Sequence, residues 1–384
     1  MWPFFEKDEI EAVVTVLTSG KVNYWTGEEG RNFEKEFAGF VGTRHAVALA
    51  NGTVAIELAL RAAEIGEGDE VIVPPRSFIA TAGVVMLCGA RPVFADVDRE
   101  SGNITAETIR LVLTDRIRAI IPVHLAGRPC EMDPIMKLAK EHGLVVIEDC
   151  AQAHGAEYHG RRVGAIGDMG AFSFCQDKII TTGGEGGMVT TNNREYWERV
   201  WSFKDHGKSY EAVFNREYPP GFRWLHESIG TNARMTEMQA AIGRVALRKL
   251  PRWLEVRRRN AGIYTRRFSG LSALHLPKVP SGFNHACYRY YFYVVPERLK
   301  SGWDRDRIMR EVNALGRPCF SGTCCEIYLE KAFVKAGLQP DERLPNARFL
   351  TENSLMLPVH PALNSEDVED IADTVACVVE RATA

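Results

Sequence analysis

The chain lacks any run of the roughly 18–20 consecutive apolar residues that a membrane-spanning helix needs. Its first residues lack the basic start and apolar core of a secretory signal. Positive charge is not in excess: 47 basic residues face 50 acidic ones, for a formal net charge of −3. That balance argues against a nucleic-acid surface and against a polybasic membrane patch. Nine cysteines are present, an odd number, and no Cys-x-x-Cys occurs. The adjacent Cys324 and Cys325 do not have a zinc spacing, so no metal is expected. Several cysteines sit in apolar runs and read as reduced thiols of a cytoplasmic protein. Glycine–serine linkers, internal repeats and low-complexity tracts are also missing.

What is present is a chain of 384 residues, 45% hydrophobic and 25% charged. That length suits two domains, or one large α/β domain with an appendage. Short apolar strands are expected at 46–50, 71–73, 92–95, 119–122 and 144–147. Helical runs lie between them, at 54–63, 78–87, 105–113 and 132–142. Such alternation implies parallel βαβ units covered by helices on both faces. A helix is expected at 5–18 and a long one at 233–263. Beyond it come an aromatic strand at 288–295 and helices at 305–314 and 365–382. The expected division is a large α/β domain over 1–245 and a smaller α+β domain over 246–384.

In parallel sheets, ligands bind beyond the carboxyl ends of the strands. Asn51-Gly52-Thr53, Ser77-Phe78, His124, Asp149 and Lys178 all fall at such ends, so one crevice can collect them. Asp149 closes an apolar strand, and Lys178 follows 29 positions later, ahead of a glycine-rich stretch. That pair suits pyridoxal phosphate chemistry: the lysine forms a Schiff base, and the aspartate keeps the pyridine nitrogen protonated. Displaced by an amino substrate, Lys178 becomes the base and acid that moves a proton between carbons.

Other residues fit around that pair. Gly52 and Thr53 open a helix, where backbone N–H groups and the helix dipole favour a phosphate. The alternative is that Asn51 or Thr53 only caps the helix. Ser173, five residues before the lysine, can add a hydroxyl to that phosphate, or be a polar strand residue. Gln152 can donate to the ring's phenolic oxygen. Phe78 can stack on the ring, although an aromatic after a strand is often plain core. The glycines at 183–187 match neither a P-loop nor a dinucleotide fingerprint, and they read as a tight turn beside the lysine.

These motifs resemble the DegT/StrS-type family of pyridoxal-phosphate-dependent sugar aminotransferases, of fold type I, along nearly the whole chain. The resemblance is carried by Trp25-Thr-Gly27, Ala50-Asn-Gly-Thr53 and Pro75–Thr81. It continues through Pro122–Gly127, Glu148–Gly155, Ser173–Gly187 and Gly230–Ala241. It implies a mostly parallel large domain and a smaller α+β C-terminal domain. It implies Lys178 as the Schiff-base lysine, Asp149 on the pyridine nitrogen, Gln152 on the ring oxygen and Phe78 on the ring face. Gly52, Thr53 and Ser173 would hold the phosphate. Asn232 would reach the phosphate in a partner subunit, so a homodimer is implied. Cys175-Gln176-Asp177 departs from the commoner His/Tyr-Pro-x before the lysine.

The activity so implied is transfer of an amino group, with L-glutamate as donor. The acceptor would be a keto-sugar, typically a nucleotide-linked keto-6-deoxyhexose, used for polysaccharide or glycoconjugate assembly. Candidates for the sugar pocket are Asn23, Tyr24, Trp25, His124, Lys204, His206, Arg223, His285, Arg289 and Tyr328. Other outcomes of the same cofactor, cyclitol amination or sugar dehydration, are alternatives. Histidine replaces the lysine in the family's dehydratases, and Lys178 therefore favours transamination. A cofactor-binding sensor without turnover is the alternative from another class.

Overall fold

A computed structural model describes residues 2–322 and 325–384. Its centre is a seven-stranded sheet. Across the sheet the strands run His45–Leu49, Gly187–Thr191, Met169–Ser173, Val145–Asp149, Ile117–Ile120, Glu70–Val73 and Arg91–Phe94. Only Gly187–Thr191 runs antiparallel to its neighbours. The other adjacent pairs are parallel. The apolar strand sequences expected from the alternation are therefore buried on both faces, as the strand Glu70–Val73 illustrates. Helices Gly52–Ala62 and Ala80–Leu87 pack on the sheet with side chains such as Leu58, Val84 and Val85 in its core.

Helix Glu237–Phe268 spans 32 residues and begins at a capping box between Thr236 and Gln239. Its stretch up to Leu254 places Leu250, Trp253 and Leu254 in one core with Phe33, Phe37 and Phe174. Its last turns place Ile263, Tyr264 and Phe268 in a separate core with the C-terminal helix Ser365–Ala382. The expected division after residue 245 thus falls inside one continuous helix. The second core sits on a small antiparallel sheet of Leu274–His275, Tyr290–Val294 and Ser354–Leu357.

Candidate active site

The strand-end residues do converge. Gly52, Thr53, Phe78, Asp149, Gln152, Ser173 and Lys178 line one cavity of about 830 Å³. Each is delivered by the carboxyl end of a strand or the turn after it. Asn51 caps the helix Gly52–Ala62, its side chain accepting from Val54 N at 2.9 Å. The capping role thus belongs to Asn51. Gly52 and Thr53 are left at the helix entrance, facing the cavity. A Cβ on Gly52 would lie 2.5 Å from Ser173 Cβ, so the backbone approaches the serine only because the side chain is absent.

Asp149 lies at the cavity's depth, 4% exposed. Its Oδ2 accepts from the Thr81 hydroxyl at 2.8 Å, and its Oδ1 from Ala151 N at 3.1 Å. Ser77 lies 2.6 Å from the Thr81 hydroxyl and extends this chain. Burial pushes the Asp149 carboxyl above its ordinary pKa. The Ala151 and Thr81 donors and the nearby Lys178 charge oppose that rise. A cation seated against Asp149 would relieve the same cost.

Beneath Asp149, a fully buried pair sets the floor. Cys130 N donates to His124 Nδ1 at 3.0 Å, so Nε2 carries the proton and donates to Glu148 at 3.0 Å. Glu148 also accepts from Ile166 N and Gly167 N, each at 2.8 Å. Burial works to raise the Glu148 pKa, but His124 and the backbone donors outweigh it and hold it low. His124, a candidate for the sugar pocket, is fully buried and has both ring nitrogens engaged in this anchor.

Gln152 accepts from Ala126 N at 2.8 Å through Oε1, which points its amide nitrogen the other way. The Phe78 ring is 63% exposed and lines the cavity, so it is not core. Lys178 sits on a turn whose N–H bonds Cys175 O at 3.0 Å. His154, wedged between Phe172 and Phe174, is pushed down to about 3 by burial, with the Lys178 and Arg257 charges adding to it.

Asn232 does not join this group within its own chain. It is exposed, paired by backbone with Asp205 and absent from the cavity wall. Tyr24, Lys204 and Tyr328 are buried. Lys204 Nζ bonds Glu34 at 2.8 Å, and Tyr24 OH bonds the same carboxylate at 3.1 Å. Trp25 is tied to Asp205 by a 2.6 Å bond from its indole nitrogen. His285 and Arg289 line a neighbouring cavity. Asn23, His206 and Arg223 remain exposed, with none on the cavity wall. Ser77 joins the cavity wall as its strand-end place implied, whereas Thr81, Asp177 and Tyr288, which also line it, were not anticipated. The only signal for Thr81 was its place four residues after Ser77, behind the same strand. Cys324 lies outside the described residues, and the eight described cysteines are free thiols.

The cavity therefore offers an anion-binding end, a buried carboxylate, a lysine, an exposed ring and an oriented amide. These donors fit pyridoxal phosphate. The profile of the DegT/DnrJ/EryC1/StrS aminotransferase family matches residues 3–376. An aminotransferase structure from Psychrobacter cryohalolentis superposes with a TM-score of 0.98 at 52% identity, covering 100% of this chain and 99% of that one. The GDP-perosamine synthase of Escherichia coli O157:H7 is 41% identical over 96% of this chain and 94% of its own. The UDP-N-acetyl-3-dehydro-alpha-D-glucosamine 3-aminotransferase of Acidithiobacillus ferrooxidans is 40% identical over 91% and 88%. The chain belongs to the DegT/DnrJ/EryC1/StrS aminotransferase family. It is an aminotransferase of fold type I whose cofactor is pyridoxal phosphate. Among the described residues, no helix is long and apolar enough to cross a membrane.

Proposed function

We propose that this member of the family transfers the amino group of L-glutamate to a keto carbon of a nucleotide-linked sugar. The observation that carries the reading is the meeting of Lys178, Asp149 and the Gly52 helix entrance in one cavity. The relatives named for UDP- and GDP-linked sugars support the acceptor class.

Bound in the cavity, pyridoxal phosphate supplies an electron sink that stabilises the charge left when a substrate carbon loses a proton. The chain's own residues do the rest. Gly52 and Thr53 N–H groups and the Ser173 hydroxyl would hold the phosphate. The Asp149 carboxylate, steadied by Thr81 and Ala151, would hold the positive charge at the ring nitrogen. The Gln152 amide N–H would donate to the ring oxygen. Phe78 would cover a ring face and exclude water. Lys178 Nζ would take the proton from the donor's α-carbon and hand it on within the same half-reaction, and in the acceptor half the same nitrogen would run the transfer in reverse, delivering a proton to the former keto carbon.

The protein acts as a homodimer in this reading. Asn232 follows a segment where Phe222, Trp224 and Ile229 are all exposed, which favours cover by a second copy. Asn232 would then reach across to the other site. Free thiols throughout the described chain support a reducing, cytoplasmic compartment. The amino sugar made would enter polysaccharide or glycoconjugate assembly.

The test is the visible absorbance of the protein with pyridoxal phosphate, before and after L-glutamate, followed by a panel of nucleotide-linked keto-sugars. The bound-cofactor band should change on adding glutamate and return on adding an accepted keto-sugar. A band that no amino donor alters would overturn the aminotransferase reading.

A further inference from the structure

The turn that carries Lys178 is the place where this chain departs from the pattern it otherwise resembles. Lys178 N donates to Cys175 O at 3.0 Å, and the Trp2 indole nitrogen donates to Lys178 O at 3.0 Å. A backbone bridge joins Cys175 to Gly184. The turn is thus pinned on several sides, and Asp177 and Lys178 both present side chains to the cavity. Lys178 Nζ lies 3.7 Å from Asp177 Oδ1. Asp177 Oδ2 accepts from the Tyr288 hydroxyl and lies 3.5 Å from Arg289 Nη2. Tyr288 also offers its ring to both cations. Nζ of Lys178 is 5.2 Å from the ring centre, and the Arg289 guanidinium carbon 4.7 Å.

Stability does not explain this arrangement. The Lys178 and Asp177 side chains are 16% and 42% exposed, and ion pairs open to water add little. What the carboxylate does supply is place. A lysine has a long, flexible stem, and one displaced by a substrate amine must stay within reach of the carbon it deprotonates. Other groups facing Lys178 offer no such seat. Asp149 is held by Thr81 and Ala151, and buried His154 is neutral. Glu185 and Cys175 contact each other at 3.9 Å on the glycine turn. Among the described residues, Asp177 is the one carboxylate within ion-pair distance of Nζ.

Resting on the aminotransferase reading, we infer that Asp177 is a positioning residue for Lys178. Fixed by Tyr288 and Arg289, it receives the lysine ammonium whenever the side chain is released, and keeps it beside the reacting carbon. It touches no reacting atom itself. Removing its charge would leave Lys178 and Arg289 as two cations with no anion between them.

Two substitutions test this, Asp177→Asn and Asp177→Glu. In cofactor-stripped protein, modification of Lys178 by an amine reagent is followed by peptide mass spectrometry. Loss of the seat should raise the rate about threefold or more in Asp177→Asn, whereas Asp177→Glu should stay within about twofold of the parent. In the loaded enzyme, Asp177→Asn should lower kcat of the donor half-reaction about tenfold or more, with donor KM little changed and Asp177→Glu restoring most of it. Parent-like labelling and kcat in Asp177→Asn would overturn the inference, as would a glutamate variant no better than the asparagine one. If Asp177→Asn does not fold, Tyr288→Phe frees the carboxylate without altering charge. It should move labelling and kcat the same way by a smaller factor, and no movement in either overturns the assignment. If the parent exchanges amine with no donor, the aminotransferase reading fails, while the labelling still decides the role of Asp177.

Discussion

Gly52 and Ser173 are packed so closely that a methyl group on the glycine would sit 2.5 Å from the serine Cβ and 2.9 Å from its Oγ. The helix entrance and the strand before Lys178 therefore share one small volume, sized for an anion and not for a side chain. Gly52→Ala should force the two elements apart at an overpacking cost of about 1–3 kcal/mol. Affinity for pyridoxal phosphate should fall about tenfold or more by absorbance titration. Binding of pyridoxal, which lacks the phosphate, should change much less. Equal losses for both would show that the glycine is not serving a phosphate.

Asp149 gives a prediction whose sign reverses with the cofactor. Burial raises its carboxyl above 3.8 in the folded, cofactor-free protein. The folded state then binds the proton more tightly than the unfolded chain does. The resulting stability is present below 3.8 and lost as pH rises through the elevated value. Asp149→Asn should therefore raise the melting temperature of stripped protein at pH 7, with the gain vanishing near pH 4. In the loaded enzyme the same substitution removes the charge facing the ring nitrogen. It should lower kcat about 10²–10³-fold. Thermal melts of both forms across pH, with single-turnover kinetics, check the two arms.

Much of this was legible in the sequence, for identifiable reasons. Asp149 stands out because it ends an apolar run where a parallel sheet opens to ligand, and Lys178 because it follows the next strand across a short polar turn. Helices at 132–142, 305–314 and 365–382 keep their expected bounds, the last two behind side-chain caps at Asp304 and Asn364. The antiparallel strand Gly187–Thr191 was missed because two of its five residues are threonines that look solvated. In the fold they are buried, their hydroxyls donating to Gly164 O and Asp168 O at 2.7 Å each. His124, Tyr24 and Lys204 read as open polar candidates for the sugar pocket for a related reason, and in the fold each is buried against an acidic partner. Their acidic partners, Glu148 and Glu34, lie 24, 10 and 170 positions away, and only the fold brings each pair together.

Thr81 is the residue that the fold adds to the site. Its hydroxyl donates to Asp149 Oδ2 and sits 2.6 Å from the Ser77 hydroxyl. Thr81→Val keeps the shape and removes one of the donors to a buried carboxylate. A hydrogen bond to a charged group contributes about 1.5–3 kcal/mol, so kcat should fall roughly ten- to a hundredfold. The Asp149 carboxyl should rise further, because one of the groups opposing burial is gone. The acid limb of the donor half-reaction's pH profile should move to higher pH. A lowered kcat with an unmoved acid limb would place the role of Thr81 elsewhere.

Asn232 separates a site complete in one chain from a site shared by two. It is exposed and off the cavity wall, but it is held by backbone pairing to Asp205, whose carboxylate also binds Trp25 and Arg234. The segment is thus rigid while its side chain has no role in its own cavity. Asn232→Ala should leave the melting temperature nearly unchanged, weaken cofactor retention and so depress turnover. Lys178→Ala should abolish turnover outright. Mixed after subunit exchange, the two impaired dimers should recover activity. In a heterodimer one site carries both lesions and the other carries neither. Random pairing makes half the dimers heterodimeric, so about a quarter of the sites should work. Recovery near that fraction requires Asn232 to act across the interface. A mixture that shows no recovery, with exchange verified by native mass spectrometry, would return Asn232 to its own subunit.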